Sequence, residues 1–199
     1  MKNTINMFRT FSKQKGDYEM QDKLYKMISL IFLALLLHVS DMYAGDQLSD
    51  KLAAFEPFIG KTWKGEFKNS TPEKPIFDIA KWERALNGTA VRVLHSVNNG
   101  EYGGESIIFF DKEKDSLVYY YFTTAGFYTT GTVKFENNAM VSHEVVKGNE
   151  DGITEVKSIS KITPDGKLEA TSKYFKKGEW IDGHQIIYTE SSDSEVIFK

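Results

Sequence analysis

The most apolar stretch in the chain is short. Ile28 to Val39 reads ISLIFLALLLHV, with Lys23 and Lys26 just before it and Tyr43-Ala44-Gly45 just after. A basic lead, a brief apolar run and a small-residue exit are the three parts of a secretory signal. A membrane-crossing helix needs about 20 apolar residues, so the run reads as a signal cleaved after Ala44, ahead of a buried helix or an uncleaved anchor. Residues 1–19 are polar and mixed in charge, and MQDKLYK from Met20 makes a more typical lead. Residues 1–44 are therefore read as a signal peptide whose first nineteen residues are an over-extended gene start, and residues 45–199 as one domain.

Within that domain the spacing changes once. Leu48, Leu52, Phe55 and Ile59 recur at helical intervals, and Pro57 limits the helix to a short one ending near 54–56. Its expected role is to plug or cover one end of the strand region C-terminal to it. From Trp63 onward, runs rich in Val, Ile, Thr, Tyr and Phe predict ten strands: 63–68, 77–86, 89–97, 104–110, 116–124, 126–135, 139–147, 153–163, 167–176 and 179–190. Turn chemistry separates them, as at Asn87-Gly88, Asn98-Asn99-Gly100, Glu136-Asn137-Asn138 and Pro164-Asp165-Gly166. Gly103-Gly104 reads as a turn or bulge. Connections this short join antiparallel neighbours. The expected fold is all-β, an up-and-down antiparallel barrel with a short N-terminal helix, because closure removes exposed edges. A two-sheet sandwich is the alternative.

Alternation assigns faces to several strands. Leu168, Ala170, Ser172 and Tyr174 share one face, as do Val91, Val93, His95 and Val97, and as do Val141, His143 and Val145. The valines point His95 and His143 inward. Leu117 to Phe122 (LVYYYF) is apolar on both faces, which predicts an interior on one side and a cover on the other.

Composition narrows the function classes. There is no cysteine, which excludes disulfides, thiolate zinc sites, cysteine nucleophiles and a lipidated cysteine at the exit. Residues 45–199 carry 19 Lys/Arg against 24 Asp/Glu, a mildly acidic balance without the basic stripe that a nucleic-acid binder needs. Aromatic residues make up 14% of the chain, enough to build both a core and an apolar pocket.

The segment Phe58-Ile59-Gly60-Lys61-Thr62-Trp63-Lys64-Gly65 after a short helix resembles the opening of lipocalin-like, or calycin, barrels. Trp82-Glu83-Arg84-Ala85-Leu86-Asn87-Gly88, followed by a strand and Gly103 to Asp111, resembles exported bacterial proteins of that plan with no assigned function. Nitrobindin and the fatty-acid-binding proteins are distantly similar. The resemblance spans most of residues 48–190 and implies a barrel whose opening Trp packs over one end. The chain departs from it by two residues, Lys61 and Thr62, between Gly and Trp, where lipocalins usually have one. Around His184 there is no match to nitrobindin's haem-ligand histidine, so no haem or other cofactor is expected.

Candidate chemistry is sparse. His95, His143 and His184 lie on different strands and form no local metal pair, so no metal site is expected. Glu101, Glu105, Glu144 and Glu155 are available for a carboxylate pair, but so many acids make chance pairs common. No nucleophile-elbow, zinc-protease, P-loop or dinucleotide motif is present. The expected ligand-binding set is Trp63, Trp82, Arg92, His95, Tyr119, Tyr121, Tyr128, His143 and Tyr174. Tyr119, Tyr121, Thr123 and Thr129 make a semi-polar lining better suited to a ligand than to a dry core, although each aromatic taken singly is as readily core. Arg84 and Arg92 are the only arginines past the signal. Turned inward, Arg92 would anchor a carboxylate; turned outward, it is a solvated strand residue. The function expected is an exported barrel, periplasmic or secreted, holding a small apolar or amphipathic molecule, with no nucleic acid and no membrane span after cleavage. Catalytic residues are not identifiable. The alternatives are an isomerase or lyase using an interior His or Tyr, and a filled barrel that binds a protein partner.

Overall fold

Backbone hydrogen bonds along a half-apolar, β-branched chain are satisfied by pairing each strand with the next. The computed structural model describes Met27 and residues 47–199. The expectations placed on the signal segment, on cleavage after Ala44 and on the start at Met20 lie outside the described residues. Leu48–Lys199 form one unit. Its strands are β1 (Thr62–Phe67), β2 (Phe77–Ala85), β3 (Ala90–Val97), β4 (Tyr102–Asp111), β5 (Ser116–Thr123), β6 (Tyr128–Glu136), β7 (Ala139–Val146), β8 (Ile153–Ile162), β9 (Leu168–Lys176) and β10 (Glu179–Glu190). All pairings are antiparallel, and β1 pairs with both β2 and β10, so the sheet closes into a barrel. The sandwich alternative does not hold, because the seam from Trp63↔Glu190 to Phe67↔Ile186 leaves no edge. No helix among the described residues is long and apolar enough to cross a membrane.

The hairpins follow the turn residues. Asn137 and Asn138 have φ of 51° and 61°, and Asn98 and Asn99 have 47° and 57°. Two successive positive φ values match the twist of the flanking strands, and asparagine tolerates them. Gly103 and Gly104 correct the expectation of a turn or bulge, since both lie within β4 in unbroken register with β3. The physical reason is space, because each lies against a ring from another part of the chain.

The predicted helix is a 3₁₀ segment, Asp50–Phe58, with Pro57 inside it. Its turns close over three residues, as Leu52 N–H to Ser49 O (2.7 Å) shows. That spacing still places Leu52, Phe55 and Phe58 on one buried side. They meet Trp82, with ring centroids at 6.2 Å for Phe55 and 5.0 Å for Phe58, and Phe55 meets Phe135 edge-on at 4.9 Å. Trp63, wholly buried, joins Val91, Ile108, Val133, Leu168 and Tyr188 in the same cluster. These residues come from the starts of odd-numbered strands and the ends of even-numbered ones. The helix therefore plugs one end of the barrel, and that end is packed solid.

Burial and register together fix which face of each strand is interior. Leu168, Ala170, Ser172 and Tyr174 face inward, as do Val91, Val93 and His95, in agreement with the alternation. On β7 the expected face is reversed. Met140, Ser142, Glu144 and Val146 oppose the inward Phe135, Val133, Gly131 and Thr129, so Val141, His143 and Val145 face out. The outer face of LVYYYF is covered only in part, at Val118. Tyr120 and Phe122 are 39% and 52% exposed on the outer surface. They lie against the neighbouring rings of Phe109 and Tyr128 instead.

Candidate ligand-binding site

The opposite end of the barrel has a different interior. The inward residues here are Asp78, His95, Tyr102, Tyr119, Tyr121, Thr129, Glu144, Tyr174 and His184, with Ser142, Ser158 and Ser172 between them. The same alternation that packs the plugged half thus delivers hydroxyls, carboxyls and imidazoles to the open half.

Four of the interior tyrosine rings lie on glycines. A Cβ at Gly131 would stand 2.5 Å from the Tyr119 ring, at Gly104 2.5 Å from Tyr121, at Gly65 2.6 Å from Tyr188 and at Gly183 2.8 Å from Tyr174. No other residue type leaves the ring that space. Each glycine sets the tilt of a phenol, and so the position of its hydroxyl. This is why Gly104 sits inside a strand rather than at a turn.

The hydroxyls are linked. Asp78, almost fully buried, accepts from His95 Nδ1–H at 2.8 Å and from the Tyr188 hydroxyl at 2.9 Å. His95 Nε2 meets the Tyr121 hydroxyl at 2.7 Å, which in turn bonds the Tyr102 hydroxyl at 3.0 Å. A continuous chain therefore runs Asp78–His95–Tyr121–Tyr102. Burial raises the phenols of Tyr102 and Tyr121 above their ordinary pKa, so both stay protonated and available as donors. A second cluster sits beside it. The Tyr119 hydroxyl donates to Glu144 Oε2 at 3.2 Å, and Thr129 lies against the same carboxyl. Burial raises the Glu144 pKa, while the Thr129 and Tyr119 hydroxyls and the charge of His95 pull it back. The third feature is Tyr174, whose hydroxyl lies 2.6 Å from His184 Nδ1, with the His184 backbone N–H donating to Ser172 Oγ at 2.9 Å. Burial lowers the His184 pKa, which favours a neutral ring.

An open cavity of about 1380 Å³ occupies this half, bounded among others by Phe67, Ser142, Ser158, Ser172, Tyr174 and His184. Serines and Gly183 as inward residues are too small to fill a barrel of this width, and strand backbone becomes part of the wall. Lys134, Val141, His143, Lys157, Ile159 and Lys173, all of the outward register, also border the space. The charged ends of the three lysines lie on Glu136, on the Trp180 ring and on Asp182. His95, Tyr121 and Tyr102 are not part of that lining, although the His95 side chain is 24% exposed inside the barrel.

The expected binding set divides accordingly. His95, Tyr119, Tyr121 and Tyr174 come together in the open half. Trp63 and Trp82 are inward but belong to the plugged, packed half. Three expectations are corrected. Arg92 faces out, where its guanidinium holds Glu105 in a two-pronged pair at 2.9 and 3.0 Å and reaches Glu83 at 3.6 Å. Tyr128 is 49% exposed on the outer face. His143 is in the outward register, bonding Glu155 at 2.6 Å, which corrects its inward orientation, although it borders the cavity. Asp78, Tyr102, Glu144, His184 and the serines were not in the expected set. The signal for Asp78 was present, since it alternates with Ala80 and Trp82 on one face of β2.

No protein-family model matches the chain, and no curated protein matches it. Among solved structures, a match is the crystal structure of Rv2717c from M. tuberculosis, at 12% identity and a TM-score of 0.54, covering 72% of this chain and 99% of that one. At that identity the likeness shows the barrel fold alone.

Proposed function

We propose that this protein is an exported carrier that holds one small amphipathic molecule in the open half of its barrel. The observation that carries the reading is the division of the interior. One half is plugged and packed, while the other combines a cavity of about 1380 Å³ with small walls and placed hydroxyls. Small-molecule sites are concave, apolar over most of their surface and oriented by a few polar groups. The signal-like segment before Gly45 supports export. Native mass spectrometry of the protein from its own host tests the reading. A stoichiometric small-molecule adduct, lost when the protein is unfolded, is expected. A bare polypeptide mass, together with no uptake of an apolar fluorescent probe, would sink it.

One observation favours a second reading, an isomerase or lyase on the same scaffold. The Asp78–His95–Tyr121–Tyr102 chain joins a buried carboxylate through an imidazole to two phenols, the composition of a proton relay. Both His95 nitrogens are occupied within it, so the group offered to a substrate is a tyrosine hydroxyl. A His95→Gln variant that still takes up the ligand but no longer converts it would favour this reading over simple carriage.

A further inference from the structure

The charge inside the barrel constrains what the carrier can hold. Among the described residues, two acids face the interior away from the barrel's rims, Asp78 and Glu144. Asp78 is matched by His95 and Tyr188. Glu144 forms no ion pair with a lysine or arginine among the described residues; its hydrogen-bond partner is the neutral Tyr119 phenol. Strand lysines 64, 81, 134, 157, 161 and 173 occupy outward register positions, while Arg84 is inward in the plugged half and Lys176 is inward at the open rim. Arg92, the residue that would have anchored a carboxylate, is outside. A buried carboxylate without a cation is costly, and an ammonium entering beside it removes that cost. The groups around Glu144 suit such a guest. Tyr119 and Tyr121 come from β5, Tyr102 from β4, Thr129 from β6 and His95 from β3. Phenol rings around a carboxylate attract a cation through their faces. An anionic head at Glu144 would instead meet carboxyls, the inward lysine position, Lys176, lying at the open rim.

Resting on the carrier reading, we propose that the ligand is an amphipathic cation, with an amine-type head at Glu144 among the tyrosines and an apolar tail in the cavity. The step is ionic binding with no covalent change. As pH falls, Glu144 takes up a proton, the counter-charge is lost and affinity for the cation falls; binding at a pH near the carboxyl's titration releases a proton. His184, in the same half of the barrel, gains charge in the same direction and adds to the loss.

The test compares octylammonium, octanol and octanoate, each below its micellar concentration, by calorimetry on the full domain at pH 8. Octylammonium is expected to bind about tenfold or more tightly than octanol, with octanoate weakest. Glu144→Gln is expected to bring octylammonium down to the level of octanol while octanol binding is kept, which also shows that the variant folds. Octanoate binding as tightly as octylammonium, or a cation preference unchanged in Glu144→Gln, would overturn the charge assignment and leave the carrier reading standing. Failure of all three probes to bind would overturn the carrier reading itself.

Discussion

At the scale of single residues, Glu144 shows a conflict between stability and function. Its carboxyl pKa is raised from the ordinary 4.5, first by burial. A raised carboxyl binds its proton more tightly in the folded state than in the unfolded chain. Stability from this group is therefore fully present below 4.5 and falls as pH rises through the folded pKa. Glu144→Gln removes that loss, so the ligand-free variant is expected to melt above the parent at pH 8 and to converge with it at pH 4. A thermal melt series across that range decides the matter; a variant that melts lower at every pH would mean the carboxylate makes a favourable contact in the empty barrel. His184 acts in the opposite sense. Its pKa is lowered from 6.5, so the folded state resists protonation and stability declines as pH drops below that value. Neither residue could be placed from the sequence with certainty. On β7 the more apolar set, Val141, His143 and Val145, takes the outward register, with Val145 44% exposed, while the polar Ser142 and Glu144 take the inward one. Alternation separates two faces but does not say which is interior when the interior is itself polar.

At the scale of elements, the legible parts were those where chemistry and geometry agree. Asn and Gly at the turns, β-branched and aromatic runs between them, and short links throughout leave little choice but ten antiparallel neighbours. Closure followed because an open sheet would leave β1 and β10 unpaired. What the pattern could not give was the cross-strand seating of Tyr119 on Gly131 or Tyr121 on Gly104, because such pairs depend on register between strands. The plug was legible from spacing, though as an α-helix rather than a 3₁₀ segment. Its weight is testable at Phe55, which is wholly buried and touches Phe135 and Trp82. Phe55→Ala removes the centre of that end and should cost about 3–5 kcal/mol. Chemical denaturation measures this directly. A loss below about 1 kcal/mol would mean that the packed half stands without its plug and that the helix serves some other purpose.

At the scale of the whole molecule, the last segment covers a surface that the strands leave open. Ser96 and Ile79 face outward, in register with each other, yet are 1% and 6% exposed. The chain after β10 crosses this region. The Ile197 N–H donates to Ser96 Oγ at 3.1 Å, and the Phe198 ring would lie 3.2 Å from a Cβ at Gly103 on the neighbouring strand. Gly103 thus leaves room on the outside for the tail, as Gly104 does on the inside for Tyr121. Residues 191–199 carry no strand pattern, and nothing in their composition marks them as a strap. Removing them after Glu190 uncovers the outer side of Gly103 and leaves Ser96 without the Ile197 N–H. Burial of that order is worth about 1–2 kcal/mol, a drop in Tm of about 2–8 °C for a chain this long. The barrel's closure rests on the five β1–β10 pairs that end at Trp63↔Glu190, and the tail adds to it the Ser191 N–H to Thr62 O bond at 2.8 Å. The truncated protein is therefore expected to keep its cavity and its octylammonium affinity while melting lower. A Tm equal to the parent's would show that the strap adds nothing to stability. A lost affinity would show that the outer face of β3 and β4 and the polar chain on their inner face are mechanically one unit.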